Sequence, residues 1–245
     1  MNAPFTSIYK VRSYESDLNN KVKISSIFDY MQESASLNAE LLKFGYEDMQ
    51  REGLFWVLSR ANIVIHEYLS TWDEIIIETW PKSINSYFAN RDFRFYNSEK
   101  VCIGAATTAW LMVNRQTLRP VKPENLLHDI HKYDIPPGID EFPEKIPEPK
   151  SKTLSSEFNI GYKDIDINQH TNNARYIDYL QDCCVQKFSQ NKQIESMQIN
   201  FLYQTRIGDT IRLFVNEDEQ HPYKSYIEAE NQEKVKVFNS ILNWK

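Results

Sequence analysis

The chain has few cysteines and histidines and no long apolar run. Its three cysteines include the adjacent Cys183 and Cys184, and no C-x-x-C pair is present. Such a set builds no disulfide framework and indicates a reducing compartment, which we expect to be the cytoplasm. The five histidines have no metal-ligand spacing, so we expect no metal. No apolar stretch reaches the roughly 20 residues of a membrane-spanning helix, so no membrane insertion is expected.

Charge and the first residues exclude further classes of protein. The formal net charge of −6 argues against a broad nucleic-acid-binding surface. The first residues, MNAPFTSIYKVRSYES, show neither the apolar core of a signal peptide nor the character of a transit peptide. The 245 residues, 41% of them apolar, suffice for one large domain or for two of roughly 120 residues.

The first half has the pattern of one strand, one long helix and an antiparallel meander. The strand is predicted over residues 5–14, and Ser25 or Ser26 offers an N-cap to a helix that Gly45 can end. Four β-rich runs separated by turn residues follow, at residues 55–68, 74–80, 87–96 and 101–113.

A proline-rich segment separates this half from the next. Seven prolines between residues 120 and 149 interrupt any long element, although residues 126–133 have the pattern of a short helix. We therefore interpret residues 120–155 as a linker between residues 1–119 and residues 156–245.

The second half repeats the order of the first. A strand is predicted at residues 158–162, a helix at 173–188, and four β-rich runs at 194–203, 209–215, 223–230 and 235–244. The string FDYMQE at residues 28–33 is matched 149 positions later by IDYLQD. This favours a duplicated unit, with chance similarity of short strings as the alternative. The predicted fold is α+β, a double hotdog of two tandem units, each a long helix wrapped by an antiparallel sheet.

Residues 161–182, GYKDIDINQHTNNARYIDYLQD, form the most informative stretch. Its alternating pattern predicts an extended segment that would place Asp166, Asn168 and His170 on one side, just before a helix. Thr171 or Asn172 can cap that helix, whose first N–H groups carry partial positive charge. A carboxylate, an amide and an imidazole at such a terminus could activate water and polarise a carbonyl. The alternative is a turn rich in Asp and Asn that only caps the helix.

The same stretch closely resembles the catalytic motif of the acyl-acyl carrier protein thioesterases. The resemblance covers nearly the whole chain in order, and its other motifs are VRSYE, QESA, WVLSR, YLSTWDE and AWLMVNRQTLRP. It implies a double hotdog that hydrolyses the thioester of fatty acyl-acyl carrier protein, releasing free fatty acid and holo-acyl carrier protein in fatty acid biosynthesis. The first unit would select the acyl chain and the second would carry catalysis. The absent transit peptide suggests a bacterial-type member, similar to the plastid enzymes.

Carried over by position, the family's catalytic Asp, Asn and His fall on Asp166, Asn168 and His170. The next essential residue, a glutamate that a cysteine follows in plastid members, falls on Gln204 with Thr205 after it, if Gly208 and Asp209 are matched to the family's Gly-Asp turn. Here the chain departs from the family, because an amide cannot deprotonate water. Gln204 can still orient water, and Thr205 can donate a hydrogen bond.

The chemistry implied by the resemblance needs no cofactor. His170 is the candidate general base, because an imidazole has a pKa near 6.5 and accepts a proton at neutral pH. Asp166 would fix its orientation or that of the loop, and Asn168 would position the carbonyl or the water. N–H groups of the following helix would stabilise the oxyanion.

Other functions and partners remain open at this stage. A dehydratase or hydratase acting on acyl thioesters would use the same fold, and Gln204 also suits a non-catalytic module that binds acyl carrier protein or an acyl chain. Docking of the acidic carrier protein needs a local basic face, for which Arg115, Arg119 and Lys122 are candidates; a solvated start of the linker is the alternative. The oligomeric state is open, with a homodimer as one option.

Overall fold

The computed structural model describes residues 3–123, 135–217 and 221–245. The chain divides into two compact units, Met1–Pro143 and Glu144–Lys245. The boundary between these units falls within the proline-rich segment, at residues 143 and 144. The short helix predicted at residues 126–133 lies outside the described residues.

The first unit is an antiparallel sheet with one long helix. The elements in chain order are β1 (Phe5–Lys10), a 3-10 turn (Ser13–Glu15), α1 (Ile24–Leu41), α2 (Tyr46–Arg51), β2 (Leu54–Ile65), β3 (Glu74–Asn85), β4 (Phe88–Tyr96), β5 (Cys102–Asn114) and β6 (Pro120–Val121). The strands are ordered β1, β3, β4, β5, β2 in the sheet, and the two-residue strand β6 pairs with the end of β5. The predicted strand–helix–meander order is confirmed.

Helix α1 differs from its prediction at both ends. The predicted N-caps Ser25 and Ser26 are wrong, because both lie inside the helix and extended Lys23 holds the cap position. The helix ends at Leu41 and not at Gly45, since Lys43 itself takes a left-handed conformation with φ of 63°. The apolar positions form the buried face, as the periodicity predicts, with Ile24, Ile27, Phe28, Met31 and Ala35 almost fully buried.

The second unit has the same order of elements in shorter form. The elements are β7 (Thr153–Asn159), a 3-10 turn (Tyr162–Asp164), α3 (Asn173–Asp182), α4 (Val185–Ser189), β8 (Ile194–Phe201), β9 (Thr210–Glu217), β10 (Lys224–Asn231) and β11 (Lys236–Trp244). The strands form an antiparallel sheet in the order β8, β11, β10, β9, β7. The single helix predicted at residues 173–188 is wrong: the backbone tightens at Cys184, whose N–H bonds to Gln181 O, and two helices result.

Helix α3 packs on the sheet of its own unit through aromatic side chains. The Tyr176 ring lies 5.7 Å from that of Phe238 on β11 and 6.1 Å from that of Phe201 on β8. Ala174, Ile177 and Leu180 are fully buried on the same helix. The helix is therefore held firmly beneath the loop that precedes it.

In each unit a loop, called the entry loop below, joins the first strand to the long helix: residues 11–23 in the first unit and 160–172 in the second. The two loops share a hydrogen-bond pattern. Val11 N–H donates to Asp73 O at 2.9 Å, and Ile160 N–H donates to Asp209 O at 2.8 Å. Both aspartates then accept, through Oδ2, the N–H three residues earlier, at 2.8 Å in each case. Both loops contain an isolated antiparallel bridge, Ser16 with Val22 and Ile165 with Thr171. The duplication inferred from short strings thus extends to backbone geometry.

A strap of extended chain also lies on each sheet. The first strap, residues 135–143, is held in its own unit where Gly138 N–H donates to Asp92 Oδ2 at 2.8 Å and Arg60 donates to Pro143 O at 2.9 Å. The second strap, residues 144–152, is held where the side-chain amide of Asn200 donates to Glu144 O at 3.1 Å and Lys152 pairs with Glu228. Both straps come from the predicted linker, so much of that segment packs on the units.

Among the described residues, none of the helices combines the length and apolar character needed to cross a membrane.

Candidate active site

The entry loop of the second unit carries the residues singled out from the sequence. Residues 166–170 of this loop form a tight turn, so the prediction of an extended segment is wrong. Asp166 N–H donates to His170 O and Gln169 N–H donates to Asp166 O, both at 3.0 Å. Gln169 takes a left-handed conformation with φ of 65°. The turn geometry of the alternative interpretation is the one observed, and it brings Asp166, Asn168 and His170 together by folding rather than by alternation.

Asp166 orders the turn through its carboxylate. Its Oδ1 accepts the backbone N–H of Asn168 at 2.8 Å, and its Oδ2 lies 3.4 Å from Asn168 Nδ2. Asn168 is exposed at the tip of the turn, whereas Asp166 and His170 are partly buried. The carboxylate thus fixes the backbone and directs the amide side chain of Asn168, which leaves that side chain presented to solvent.

His170 has a depressed pKa. Partial burial lowers the pKa of the imidazole, and the positive charge of nearby Arg206 lowers it further, while the Asp166 carboxylate opposes both effects. The net shift is downward from the ordinary value. His170 is therefore mostly neutral at neutral pH and can accept a proton.

Helix α3 begins directly behind the turn. Asn172 is its N-cap, as predicted, and Asn172 Oδ1 accepts Ala174 N–H at 2.9 Å. Asn172 N–H donates to Asp164 O at 2.8 Å, and Arg175 N–H donates to Asn172 O at 2.9 Å. Two of the first helical N–H groups, those of Ala174 and Arg175, are thus already bonded within the chain. This narrows the choice of donors for an oxyanion at this terminus.

The connection between β8 and β9 lies against the entry loop. Thr171 N–H donates to Thr205 O at 3.0 Å. His170 directly precedes Thr171 and Gln204 directly precedes Thr205, so this hydrogen bond links the two segments that carry His170 and Gln204. Gln204 is exposed beside the turn. Thr205 is fully buried, and its Oγ1 lies 2.8 Å from Thr171 Oγ1 and 2.9 Å from the phenol oxygen of Tyr176. Of the two residues carried over here, only Gln204 is accessible.

Tyr176 is a component of the site that the sequence analysis missed. Its phenol oxygen also accepts the backbone N–H of Thr205 at 3.0 Å, so one side chain on α3 holds both the backbone and the hydroxyl of that threonine. The signal available in the sequence was the polar ring six positions after His170, where the aligned position of the first half is Ile27.

The Gly208–Asp209 turn used to place Gln204 has the expected geometry. Gly208 has φ of 90°, a left-handed conformation that suits glycine, and its N–H donates to Ile160 O at 3.0 Å. The turn thereby fastens the β8–β9 connection to the start of the entry loop.

Two further expectations concern a metal site and a basic docking face for the carrier protein. Among residues 3–123, 135–217 and 221–245, no group of three or more His, Cys, Asp and Glu side chains could hold a metal ion. Arg115, Arg119 and Lys122 are exposed in the first unit. Arg115 donates from Nε to Leu54 O at 3.1 Å and lies over the Phe55 ring, so it is held against its own unit.

Each of the two units matches a domain of a known protein family. Residues 2–130 match the model of the acyl-ACP thioesterase N-terminal domain, and residues 147–245 match that of the C-terminal domain. A chloroplastic palmitoyl-acyl carrier protein thioesterase of Arabidopsis thaliana is 27% identical over 213 residues, covering 80% of this chain and 51% of the relative. The chain thus spans about half the length of the curated relatives it matches first.

Solved structures share the fold. A crystal structure of an acyl-ACP thioesterase from Bacteroides thetaiotaomicron has a TM-score of 0.88 and 24% identity, over 98% of this chain and 97% of that one. The 12:0-ACP thioesterase from Umbellularia californica has a TM-score of 0.84 and 16% identity, over 100% and 98% of the two chains. These likenesses establish a mixed α+β fold with antiparallel sheet. The two domain models together match most of the residues of this protein. The chain therefore belongs to the acyl-ACP thioesterase family.

Proposed function

We propose that this protein hydrolyses the thioester of fatty acyl-acyl carrier protein and releases free fatty acid and holo-acyl carrier protein. The observation that carries the proposal is the family match over both units, combined with Asp166, Asn168 and His170 gathered in one turn before α3. The finer fold in this proposal is a double hotdog, with acyl-chain selection in the first unit and catalysis in the second.

In the proposed mechanism, neutral His170 takes a proton from a water molecule as the water oxygen attacks the thioester carbonyl carbon. Collapse of the tetrahedral intermediate breaks the C–S bond, and the imidazolium returns the proton to the departing sulfur. Asn168, exposed at the tip of the turn, hydrogen-bonds the carbonyl or the water. Asp166 fixes the turn, and Gln204 orients water without removing its proton.

No cofactor enters this mechanism, because a thioester lacks much of the resonance stabilisation of an ester. What the reaction needs is oriented water, a base and stabilisation of the oxyanion. We place stabilisation of the oxyanion at the start of α3, where the first N–H groups of the helix carry partial positive charge.

The direct test is release of free fatty acid from acyl carrier protein loaded with chains of different length and saturation. Release that is lost in His170→Ala supports the proposal, with Lys21→Ala as the matched control in the first unit. The amide at Gln204, where the family has a glutamate, favours one alternative, a non-catalytic module that binds acyl carrier protein. Tight binding without release of fatty acid from any substrate would establish that module instead. Formation or loss of a double bond would establish a dehydratase or hydratase.

Docking of the carrier protein at Arg115, Arg119 and Lys122 is part of the same proposal, supported by their exposure and by the acidity of carrier proteins. Charge reversal at these positions should raise KM for acyl-carrier-protein substrates and spare short pantetheine thioesters. Equal effects on both substrates would contradict docking there. The cytoplasmic location and a homodimer also remain proposals.

A further inference from the structure

Three buried hydroxyls of the second unit, those of Thr171, Tyr176 and Thr205, form a hydroxyl cluster beneath the candidate active site. Thr205 Oγ1 lies 2.8 Å from Thr171 Oγ1 and 2.9 Å from the Tyr176 phenol oxygen. The phenol also accepts Thr205 N–H at 3.0 Å. The exposure of these residues is between 0 and 5%. No hydroxyl of the cluster can therefore reach a bound substrate, and each acts on its neighbours alone.

The first unit builds the same junction without hydroxyls. The residues that correspond to Thr171, Tyr176 and Thr205 are Val22, Ile27 and Leu69, which are 1, 2 and 5% exposed. Val22 N–H donates to Leu69 O at 2.9 Å, as Thr171 N–H donates to Thr205 O at 3.0 Å. Shared hydrogen bonds of the two entry loops match Val22 with Thr171 and Leu69 with Thr205. Ile27 is matched with Tyr176 by the 149-residue offset that relates FDYMQE to IDYLQD.

The apolar version shows that this loop does not need hydroxyls to fold. Burying hydroxyls adds less to stability than burying alkyl groups of similar size, because their lost hydration must be repaid by hydrogen bonds. Hydrogen bonds, however, depend steeply on distance and angle, whereas the hydrophobic effect is non-directional. The hydroxyls therefore contribute mainly by fixing where Thr171 and Thr205 lie relative to each other.

We propose that Tyr176, through the hydroxyl cluster, is a positioning residue that sets the placement of Gln204 relative to His170. His170 directly precedes Thr171, and Gln204 directly precedes Thr205, so a shift of one threonine against the other moves the two side chains apart. Tyr176 prevents this shift because it holds the N–H and the hydroxyl of Thr205 from the rigid helix α3. The inference rests on the proposed hydrolysis, in which His170 is the base and Gln204 orients water.

The test uses the full chain with Tyr176→Phe, which removes only the phenol oxygen, and Thr205→Val as a second variant of nearly equal shape. Because Tyr176 acts through Gln204, whose removal should lower kcat by roughly 10-fold, Tyr176→Phe should lower kcat by about 5- to 10-fold while KM changes little. Tyr30→Phe is the control, because Tyr30 on α1 donates its phenol hydrogen to Glu15 in the other entry loop. This control should leave kcat unchanged.

A double-mutant cycle separates positioning from general loss of stability. In a Gln204→Ala background, adding Tyr176→Phe should lower kcat by less than about threefold, because the group that Tyr176 positions is already absent. A loss in kcat that is equal with and without the Gln204 side chain would overturn the inference, as would full wild-type kcat in both Tyr176→Phe and Thr205→Val.

A measurement independent of turnover keeps this inference separate from the proposed function. NMR titration of the His170 ring should give a higher pKa in Tyr176→Phe, because a loosened junction exposes the imidazole and moves it away from Arg206. If the wild-type protein hydrolyses no acyl-carrier-protein thioester, the proposed function fails, yet this titration still decides the positioning. An unchanged His170 pKa together with unchanged kcat contradicts it.

Discussion

The two entry loops have nearly the same backbone and different chemistry. In the first unit, Asp17 Oδ1 accepts Asn19 N–H at 2.8 Å, just as Asp166 Oδ1 accepts Asn168 N–H. The position of His170 is taken by Lys21, whose ammonium group donates to Tyr68 O at 3.2 Å and to Ser70 Oγ at 3.3 Å. An ammonium group carries only donors and has no lone pair with which to accept a proton. The turn is therefore a scaffold, and its side chains decide whether it can be a catalytic site.

The largest effect should come from exchanging the residue that most distinguishes the loops. Loss of a positioned general base typically costs about 100- to 10,000-fold, so His170→Ala should lower kcat within that range. Lys21→Ala, the same truncation in the other loop, should leave kcat close to wild type. Thermal unfolding of both variants checks that they remain folded. Comparable losses of kcat in the two would show that the comparison misplaces the catalytic unit.

The buried carboxylates beneath the straps offer a second contrast. The side chains of Asp92 and Glu228 are both fully buried. Asp92 Oδ1 lies 3.3 Å from Lys82 Nζ, and the pKa of Asp92 is raised, chiefly by burial. Glu228 pairs with both Lys152 and Lys236, and its pKa is lowered, because these two lysines and the Tyr226 hydroxyl outweigh the opposing effect of burial. The second strap is thus the one held by a charged network.

Glu228→Gln should therefore destabilise the protein more than Asp92→Asn. Removing one partner of a buried pair costs about 3–5 kcal/mol, and we expect roughly 3 kcal/mol because both lysines keep some contact with solvent. A carboxylate with a lowered pKa stabilises the fold above its unfolded pKa and loses this effect as pH falls, so the cost of Glu228→Gln should shrink below about pH 4. Urea unfolding at several pH values measures this. A larger effect of Asp92→Asn at neutral pH would reverse the proposed ranking.

Gln204 is exposed beside the turn, whereas Tyr68, the corresponding residue of the first unit, is buried. Gln204→Ala should lower kcat by roughly 10-fold, less than His170→Ala, since it removes hydrogen bonds and no base. Gln204→Glu should be tolerated and should raise kcat if a carboxylate can share the proton transfer. The measurement is kcat on one acyl carrier protein substrate for both variants. If Gln204→Ala abolishes turnover while His170→Ala retains it, the two roles are assigned the wrong way round.

The smallest effect is expected from Arg206, which corresponds to Ser70 in the first unit. Its charge lowers the pKa of His170, so Arg206→Ser should raise that pKa. The rate should rise with pH through an apparent pKa below about 6.5 in the wild type, and this rise should move to higher pH in the variant. Rate profiles between pH 4 and 8 would record the shift at roughly constant maximal rate. Profiles that coincide would show that the guanidinium does not act on the imidazole.

Most strands could be predicted from the sequence, because alternation and turn residues report directly on a half-buried sheet. Helix ends were less accessible: Lys43 ends α1 in a conformation usually left to glycine, and Lys23 begins it without a capping side chain. Alternation also failed at residues 164–170, where local hydrogen bonds of Asp166 produce a turn from a pattern that suits a strand. Local bonds of Asp and Asn compete with extended structure and leave no periodic signal.

The partners of Thr205 could not be predicted from its own sequence environment. The resemblance placed it at the site as a donor, whereas the structure buries it against Thr171 and Tyr176. Contacts of this kind join residues 29 and 34 positions apart, and they depend on how the β8–β9 connection folds back on α3. The straps are a similar case, since prolines marked a linker and gave no indication of the Asp92 and Glu228 anchors.

The left-handed residue in each entry loop bears on how the second unit could be engineered. Gln169 at φ of 65° stands where the first unit has Asn20 at φ of 57°, and asparagine adopts this conformation more readily than glutamine. The strain in the turn of the candidate active site therefore resides in a residue with no proposed chemical role. Relieving it by Gln169→Asn would add a reserve of stability close to the site, against which costlier substitutions of substrate-facing side chains could be tolerated during directed evolution.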